Sequence, residues 1–180
     1  MPKHHPKHYY LNDTVYFITS HVYKKNQYLN AESSKKILYQ ILCQTLKEFN
    51  YKLYAWVILD DHFHFEFKTR IGDDLIKVMK RIHGKCSYQL NNMEQKPKRK
   101  VFQNYWDYCI RNKKDFYTHF NYIHHNPVKH GYVKNIDDYL FSSYRYWHSK
   151  KGNEWIRSSF REFPIIDFTL KEDRDFPKRK

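Results

Sequence analysis

Residues 62–68 read His-Phe-His-Phe-Glu-Phe-Lys, a strict alternation of polar and aromatic side chains. A period of two predicts a β-strand with its three phenylalanines on one face and its polar residues on the other. The polar residues are His62, His64, Glu66 and Lys68. Neighbours on one face lie roughly 7 Å apart, so the two imidazoles point together. Neutral imidazoles bind divalent metals, but a catalytic metal needs a third protein ligand. Alone, such a pair is more typical of ordinary strand residues.

The rest of the chain predicts the element order β-α-β-β-α-β-α. Strands are expected at 15–23, 51–59, 61–68 and 101–110, and helices at about 33–49, 75–91 and 113–126. The first six elements match a ferredoxin-like split βαβ fold of the α+β class, an antiparallel sheet with two helices on one face. The third helix is an addition. Because the phenylalanines suit the helix-covered face, we expect His62 and His64 on the open face.

The length of 180 residues suits one domain with tails. We place the domain at 1–150, with residues 1–12 as a basic arm, and treat 151–180 as a partly flexible C-terminal extension. The aromatic-rich segment 132–147 is expected to pack back onto the sheet.

The charge of the chain favours a polyanionic partner. Lysine and arginine outnumber aspartate and glutamate by 33 to 19, which gives a formal net charge of +14. The 17 tyrosines and 13 phenylalanines suit single-stranded nucleic acid, in which bases stack on rings and phosphates meet basic side chains. A lysine- and tyrosine-rich composition can also reflect an A/T-rich genome, so composition alone supports this partner only in part.

Several classes of protein are not expected. The three cysteines have neither zinc-box nor disulfide-framework spacing, which indicates reduced thiols in the cytoplasm. The sequence has no apolar run of transmembrane length and no signal peptide, so no membrane partner is expected. Gly84-Lys85 lacks the upstream glycine of a P-loop, so ATP is not expected either.

A second informative stretch, 121–131, lies at the end of the third predicted helix. Tyr122 and Asn126 are four residues apart and therefore share a helix face. Pro127 disfavours helical geometry at the residue before it. We therefore expect Asn126 to be the last helical residue or the cap of a short turn, with its amide oxygen free to bind a ligand. The alternatives are that Asn126 is only a cap and that Tyr122 is one more core ring.

The two stretches together resemble the single-tyrosine HUH transposases, and most of all the branch called REP-associated tyrosine transposases. The similarity rests on His-Phe-His at 62–64 and on Tyr-Ile-His-His-Asn-Pro-Val-Lys-His-Gly at 122–131. It includes residues 102–107 and 141–144 and covers roughly 10–147. The chain departs from the family pattern in two places. It has Asp60-Asp61 before the first histidine, and Asn126 where related transposases commonly have glutamine.

The resemblance implies a metal-dependent endonuclease and strand transferase for single-stranded DNA. His62, His64 and Asn126 would hold Mg²⁺ or Mn²⁺. Tyr122, on the added helix, would attack the scissile phosphate and leave a 5′-phosphotyrosine. His125 and Lys129 are candidates to assist the phenol, and neither is assigned. The DNA would carry hairpins like those of repetitive extragenic palindromes, and the protein would be bacterial, cytoplasmic and nucleoid-associated.

Basic residues outside the two motifs are candidate DNA contacts, because a dense basic run suits phosphate binding. The candidates are Lys77, Arg81, Lys96, Lys98, Arg99, Lys100 and Lys129.

Two other functions compete with the transposase. One is a non-catalytic module that stacks nucleic-acid bases on its sheet, as an RRM does. The other is a transposon-derived regulator whose catalysis has decayed, which Asp60-Asp61 leaves open. The sequence is compatible with a monomer or a homodimer, and with a site completed in cis or in trans.

Overall fold

Four strands, five α-helices and three single-turn 3-10 helices form the regular structure in the part of the chain that this computed structural model describes, residues 10–166 and residue 168. The strands are β1 (Val15–Val22), β2 (Lys52–Ile58), β3 (His62–Lys68) and β4 (Phe102–Cys109). The helices are α1 (Glu32–Glu48), α2 (Leu75–Met93), α3 (Lys113–Lys129), α4 (Tyr144–Lys151) and α5 (Asn153–Glu162). The predicted order is confirmed as far as α3, and two further helices follow it.

The strands form one antiparallel sheet in the order β2-β3-β1-β4. This is the order of a split βαβ fold, so the predicted fold class is confirmed. The register between the two central strands sets His62 opposite His21, His64 opposite Thr19 and Glu66 opposite Phe17. The histidine strand is therefore enclosed by a neighbour on each side.

Helices α1 and α2 cover one face of the sheet, over the phenylalanines of β3. Phe63, Phe65 and Phe67 are almost fully buried and stack in a row, with successive ring centroids 5.6 and 5.3 Å apart. They share a core with residues of both helices, such as Leu42 and Ile82. Burying a side chain of this size stabilises the fold by about 1.5–3 kcal/mol.

The opposite face is also covered, so the prediction that His62 and His64 lie on an open face is wrong. Helix α3 packs there, and Phe120 and Ile123 from α3 form a second core with Phe17 and other sheet residues. The exposed fractions of His62 and His64 are 6% and 4%. The physical reason is that α3 has an apolar stripe of its own, and this sheet face is the surface that buries it.

Helix α3 does not end at Asn126, as the proline predicted, but continues through Pro127 to Lys129. Pro127 has no N–H for the carbonyl one turn earlier, so the helix loses one hydrogen bond there. The next turn is kept, because the His130 N–H donates to the carbonyl of Asn126 at 3.0 Å. The Tyr132 N–H then donates to the carbonyl of Pro127 at 2.9 Å. Asn126 therefore lies inside the helix and is fully buried.

The segment after α3 packs back onto the sheet, as expected. Ser142 forms an isolated antiparallel bridge with Val57 of β2. The Ile58 N–H donates to the carbonyl of Phe141 at 2.9 Å, and the Trp147 ring N–H donates to the carbonyl of Tyr54 at 2.7 Å. These bonds satisfy part of the otherwise unpaired edge of β2.

Helix α5 is fastened to α3 through the buried side chain of Asn121. Its amide nitrogen donates to the carbonyls of Ser159 and Phe163 at 3.0 and 2.8 Å, and the Ser159 hydroxyl donates to its amide oxygen at 3.0 Å. The division at residue 150 stays a prediction, although α4 crosses that position. Residues 1–9 of the predicted arm, and residues 167 and 169–180 of the predicted extension, lie outside the described residues. None of the described helices is long and apolar enough to span a membrane.

Candidate active site

The structure brings the four residues of the two sequence motifs together within one chain. The ring centroids of His62 and His64 are 5.1 Å apart on β3. From α3, the ring of Tyr122 lies 5.4 Å from the ring of His64, and Asn126 reaches His62. His64 and Tyr122 are 58 residues apart in the sequence, and the docking of α3 onto the sheet brings them together.

The imidazole of His62 is held between two oxygen acceptors. Its Nδ1 lies 2.7 Å from Oδ1 of Asp61, and its Nε2 lies 3.2 Å from Oδ1 of Asn126. An ionised carboxylate only accepts, so Nδ1 donates its hydrogen to Asp61. In the neutral imidazole, Nε2 then presents a lone pair toward the amide oxygen, which is also an acceptor. A cation bound by both Nε2 and the amide oxygen would accept a lone pair from each and remove this unfavourable contact between two acceptors.

His64 and Asn126 each leave a buried polar atom without a hydrogen bond. Nδ1 of His64 lies 2.9 Å from the hydroxyl of Thr19, but its Nε2 has no hydrogen-bond partner, and neither has Nδ2 of Asn126. Buried polar atoms are rarely left unpaired in native proteins, so each such atom calls for an explanation. Two imidazole nitrogens and an amide oxygen are a donor set that Mn²⁺ and Mg²⁺ accept.

A metal site at these residues would have to include the amide of Asn126. Within residues 10–166 and 168, no group of three or more His, Cys, Asp or Glu side chains is arranged to hold a metal ion. A metal held by the two histidines would therefore take Asn126 as its third protein ligand, and the residues present fit such a site.

Tyr122 lies beside this cluster and is almost fully buried. Its ring packs edge-on against Phe17, with centroids 6.0 Å apart, and against His64. Nζ of Lys129 donates a hydrogen bond to the phenolic oxygen at 3.3 Å and lies 4.9 Å from the centroid of the ring. Of the two residues considered to assist the phenol, Lys129 is thus the one that contacts its oxygen.

The electrostatics of the site lower the pKa values of both His64 and Asp61. Burial lowers the pKa of His64 well below 6.5, and the positive charges of nearby groups, His62 first, lower it further. Burial alone would raise the pKa of Asp61. The hydrogen bond and charge of His62, with the charges of Lys25 and His130, outweigh burial and lower that pKa to about 2. At neutral pH His64 is therefore uncharged, as metal binding requires.

Glu66, the third polar residue on this face of β3, is fully buried, and neither of its carboxylate oxygens has a hydrogen-bond partner. Burial raises its pKa well above 4.5, and the negative charge of Asp115 raises it further. The folded protein therefore favours the protonated form of this carboxyl group. The strand period predicts the face on which Glu66 lies, but its burial depends on the docking of α3.

The replacement Glu66→Gln is expected to flatten the dependence of stability on pH. In the unfolded chain the carboxyl ionises near pH 4.5, whereas in the folded protein it holds its proton, so stability falls as pH rises up to the folded pKa. The loss approaches about 1.4 kcal/mol per pH unit. Urea unfolding of both proteins from about pH 5 to 9 measures the difference in slope, because the titration of the other groups is common to both proteins.

Glu154→Gln is the matched control, because that glutamate is exposed on α5. Its unfolding free energy should follow the wild-type pH profile. Parallel profiles for wild type and Glu66→Gln would mean that Glu66 ionises in the folded protein as it does in the unfolded chain.

The candidate DNA contacts fall into separate groups. Lys77 and Arg81 lie on α2, across the sheet from the histidines, where Lys77 pairs with Asp74 at 2.7 Å and Arg81 pairs with Glu48. The structure does not bring these two residues to the candidate site. Lys129, by contrast, lies within it.

The basic run 96–100 lies near the end of β1 that carries His21, the cross-strand partner of His62. The Tyr23 N–H donates to the carbonyl of Val101 at 2.8 Å, and Nζ of Lys100 lies 4.7 Å from the centroid of the Tyr23 ring. Arg99 is held in the fold, with bonds to Glu94 at 2.6 Å and to Asn91 at 3.0 Å. The lysines of the run are thus placed better for phosphate contact than Arg99.

The site contains residues that the sequence motifs do not reveal. Thr19 reaches His64 only through the pairing of β1 with β3, and no local pattern marks it. Asp61 stands next to His62 in the sequence, where it is visible only as a departure from the family pattern. His124, within the run 122–131, has a structural contact instead, because its Nε2 lies 2.7 Å from the Ser143 hydroxyl and so ties α3 to the edge of β2.

Comparison with known proteins shows the family to which this chain belongs. The family described as "Transposase IS200 like" matches residues 11–126, which is more than half of the chain. The REP-associated tyrosine transposase of Escherichia coli (strain K12) is 28% identical over 141 residues, or 76% of this chain and 79% of that protein. A protein of Haemophilus influenzae with the same family name is 29% identical over 111 residues, or 56% of this chain and 63% of that protein.

A solved structure, that of a REP-associated tyrosine transposase bound to a REP hairpin, has the same fold. It superposes with a TM-score of 0.69 at 24% identity, covering 94% of this chain and 95% of that chain. The chain therefore belongs to the IS200-like transposase family, and the relatives that it resembles within that family are REP-associated tyrosine transposases.

Proposed function

We propose that this transposase cleaves and rejoins single-stranded DNA beside hairpins, through a covalent 5′-phosphotyrosine on Tyr122 and with Mg²⁺ or Mn²⁺ at His62, His64 and Asn126. The proposal rests on one observation, the position of Tyr122 beside two buried imidazoles. The Nε2 atoms of these imidazoles have no hydrogen-bond donor as a partner. The hairpin substrate is proposed from the relatives, one of which was solved bound to a REP hairpin.

The metal, when bound, would polarise the scissile phosphate and offset its negative charge. The phenolic oxygen of Tyr122 forms the new bond to phosphorus, and the bond from phosphorus to the 3′-oxygen of the preceding nucleotide breaks. The phenol gives up its proton to solvent and the leaving 3′-oxygen takes one, so the proton count balances. Lys129, 3.3 Å from the phenolic oxygen, stabilises the negative charge on that atom.

Rejoining is the reverse step, in which a 3′-hydroxyl attacks the phosphotyrosine and releases Tyr122. Each step exchanges one phosphoester bond for another, so no nucleotide triphosphate is needed. All four residues belong to one chain, which supports cleavage in cis by a monomer. A homodimer, and nucleoid association in a bacterial cytoplasm, stay predictions.

The two competing functions are less well supported. A base-stacking module of the RRM kind needs an open sheet face, whereas α3 covers the histidine face here. A decayed enzyme would be expected to have lost its supporting contacts. In this chain the two aspartates that depart from the family pattern before the first histidine both make such contacts. Asp60 pairs with the buried Lys35 at 2.7 Å, and Asp61 binds His62 at 2.7 Å.

A denaturing gel tests the proposal with hairpin-bearing single-stranded oligonucleotides and Mn²⁺. A 3′ label should migrate with the protein, because the tyrosine stays joined to the 5′ phosphate of the 3′ fragment. A 5′ label should appear on a shorter free fragment. EDTA should prevent both products. The opposite label pattern would contradict the stated polarity, and the absence of any adduct with hairpin binding intact would favour the regulator.

Replacing Lys96, Lys98 and Lys100 together by glutamine is expected to weaken DNA binding and flatten its salt dependence. Each phosphate contact on single strands contributes about 0.7 to the slope of log K against log salt, so the slope should fall by up to about 2. Arg99 is left in place because it bonds to Glu94 and Asn91. Binding isotherms at several salt concentrations measure the slope.

The matched control replaces Lys36, Lys47 and Lys52, which are exposed on α1 and at the start of β2. Both triple variants lose the same net charge. Equal slopes for the two variants would show that the run 96–100 contributes only to the overall charge of the protein.

A further inference from the structure

The geometry points to Asp61 and Thr19 as positioning residues, which hold the two motif histidines by Nδ1 so that both Nε2 atoms face the metal position. This inference rests on the proposed metal site and assigns the residues that orient its ligands. A ligating histidine commonly donates its other ring N–H to a carboxylate or another oxygen, which fixes both tautomer and ring orientation.

The partner of His62 comes from the turn that joins β2 to β3. Asp61 is the residue directly before β3, and its Oδ1 lies 2.7 Å from Nδ1 of His62. The contact leaves Nε2, on the far side of the ring, facing Oδ1 of Asn126 at 3.2 Å. A ring flipped about its Cβ–Cγ bond would place Cδ2 instead of Nδ1 against the Asp61 carboxylate and would lose this hydrogen bond.

The turn that carries Asp61 is itself anchored. The Leu59 N–H donates to the carbonyl of His62 at 2.9 Å and closes the hairpin. Nζ of the buried Lys35 bonds to Oδ1 of Asp60 at 2.7 Å and to the carbonyl of Asn30 at 3.1 Å. The Asp60-Asp61 pair therefore has two separate tasks, because the first residue ties the turn to α1 and the second orients His62.

The partner of His64 comes from the neighbouring strand. Thr19 and His64 are directly opposite in the β1–β3 register, and the Thr19 hydroxyl lies 2.9 Å from Nδ1 of His64. The ring of Phe17 stacks on His64, with centroids 5.4 Å apart, and limits the rotation of the imidazole. Nε2 of His64 is buried without a hydrogen-bond partner, as a nitrogen kept for a metal would be.

Nitrogen NMR of the metal-free protein tests the orientation directly. Spectra that correlate ring nitrogens with ring protons, recorded roughly two units above the ordinary imidazole pKa, report which nitrogen holds the hydrogen. We expect the Nδ1–H tautomer for both His62 and His64, whereas free histidine prefers Nε2–H. Asp61→Ala should shift His62 toward the Nε2–H tautomer and leave His64 unchanged. Thr19→Val should shift His64 toward the Nε2–H tautomer and leave His62 unchanged.

Calorimetry of Mn²⁺ binding tests the consequence for the metal. Asp61→Ala and Thr19→Val should each weaken the affinity by about 10-fold or more, as losses of such orienting partners do elsewhere. Thr19→Ser keeps the hydroxyl and should restore affinity, and Asp61→Asn keeps an acceptor oxygen and should lie between wild type and Asp61→Ala. Asp13→Asn is the control, because that aspartate pairs with Arg70 on the surface at 3.3 Å.

The outcomes separate this inference from the proposed function. If wild type binds no Mn²⁺, the proposed metal site fails, and the tautomers still decide whether Asp61 and Thr19 orient the rings. If wild type binds Mn²⁺ and both variants bind it equally well, the metal site stands and the positioning role is overturned. Nε2–H tautomers in the wild-type protein would overturn the positioning role in either case.

Discussion

Tyr122→Phe is expected to abolish the covalent protein–DNA adduct and strand cleavage, by at least roughly 10³-fold, while hairpin affinity stays near that of wild type. Losses of this size or larger follow when a catalytic nucleophile is removed. The replacement removes only the phenolic oxygen, and the ring keeps its packing against Phe17 and His64. The hydrogen bond from Lys129 to the phenolic oxygen is lost with that atom. Denaturing gels and equilibrium binding on the same hairpin oligonucleotide measure the two quantities.

Tyr117→Phe is the matched control on the same helix. That ring stacks on Phe163, with centroids 4.9 Å apart, and lies among the residues that join α3 to the C-terminal segment. Its adduct yield should equal that of wild type. Cleavage at the wild-type rate by Tyr122→Phe would assign the nucleophile to another of the 17 tyrosines.

Local patterns in the sequence predict much of this fold, because strands and helices follow hydrophobic periodicity. The alternation at 62–68 predicts β3 and its phenylalanine core, and the order of the elements predicts the sheet. Both are confirmed by the structure. The position of Tyr122 four residues before Asn126 also predicts that they share a helix face.

The features of the site that the sequence predicted wrongly depend on tertiary packing. An alternating strand indicates which residues share a face, but not what covers that face. The burial of His62, His64 and Glu66 follows from the docking of α3. The sequence shows that α3 has an apolar face, but not which surface that face packs against. Local propensity likewise misplaced the end of α3, because Pro127 costs one hydrogen bond and the surrounding packing tolerates that loss.

The supporting contacts could not be predicted for a related reason. Thr19 and His64 are 45 residues apart, and Asn121 reaches a carbonyl 42 residues away. Each pairing needs the exact strand register or helix docking, which the sequence does not state. Arg99 illustrates the opposite error. The sequence places it in a basic run, but in the structure its guanidinium forms an ion pair with Glu94.

His62→Ala and His64→Ala are each expected to weaken Mn²⁺ binding by more than about 100-fold, beyond the loss typical of an orienting partner. The cleavage rate should fall together with the affinity for Mn²⁺. Each variant removes a ring nitrogen that would bind the metal. In the wild type, the affinity for Mn²⁺ should also decline with falling pH as the imidazoles protonate. Because both rings are buried, contrary to the open-face prediction, the variants should also lose stability, so melting curves must show that they remain folded.

Two further variants separate ligand loss from misfolding. Asn126→Ala removes the third ligand, and Asn126→Asp replaces it with a carboxylate, a stronger oxygen ligand for Mn²⁺. The alanine variant should therefore bind weakly and the aspartate variant at least as well as wild type, although both disturb the same helix turn. His148→Ala, on α4, controls for the loss of a histidine elsewhere. If folded His62→Ala and His64→Ala proteins bind Mn²⁺ as wild type does, the two histidines are ordinary buried strand residues, and the metal must lie outside this site.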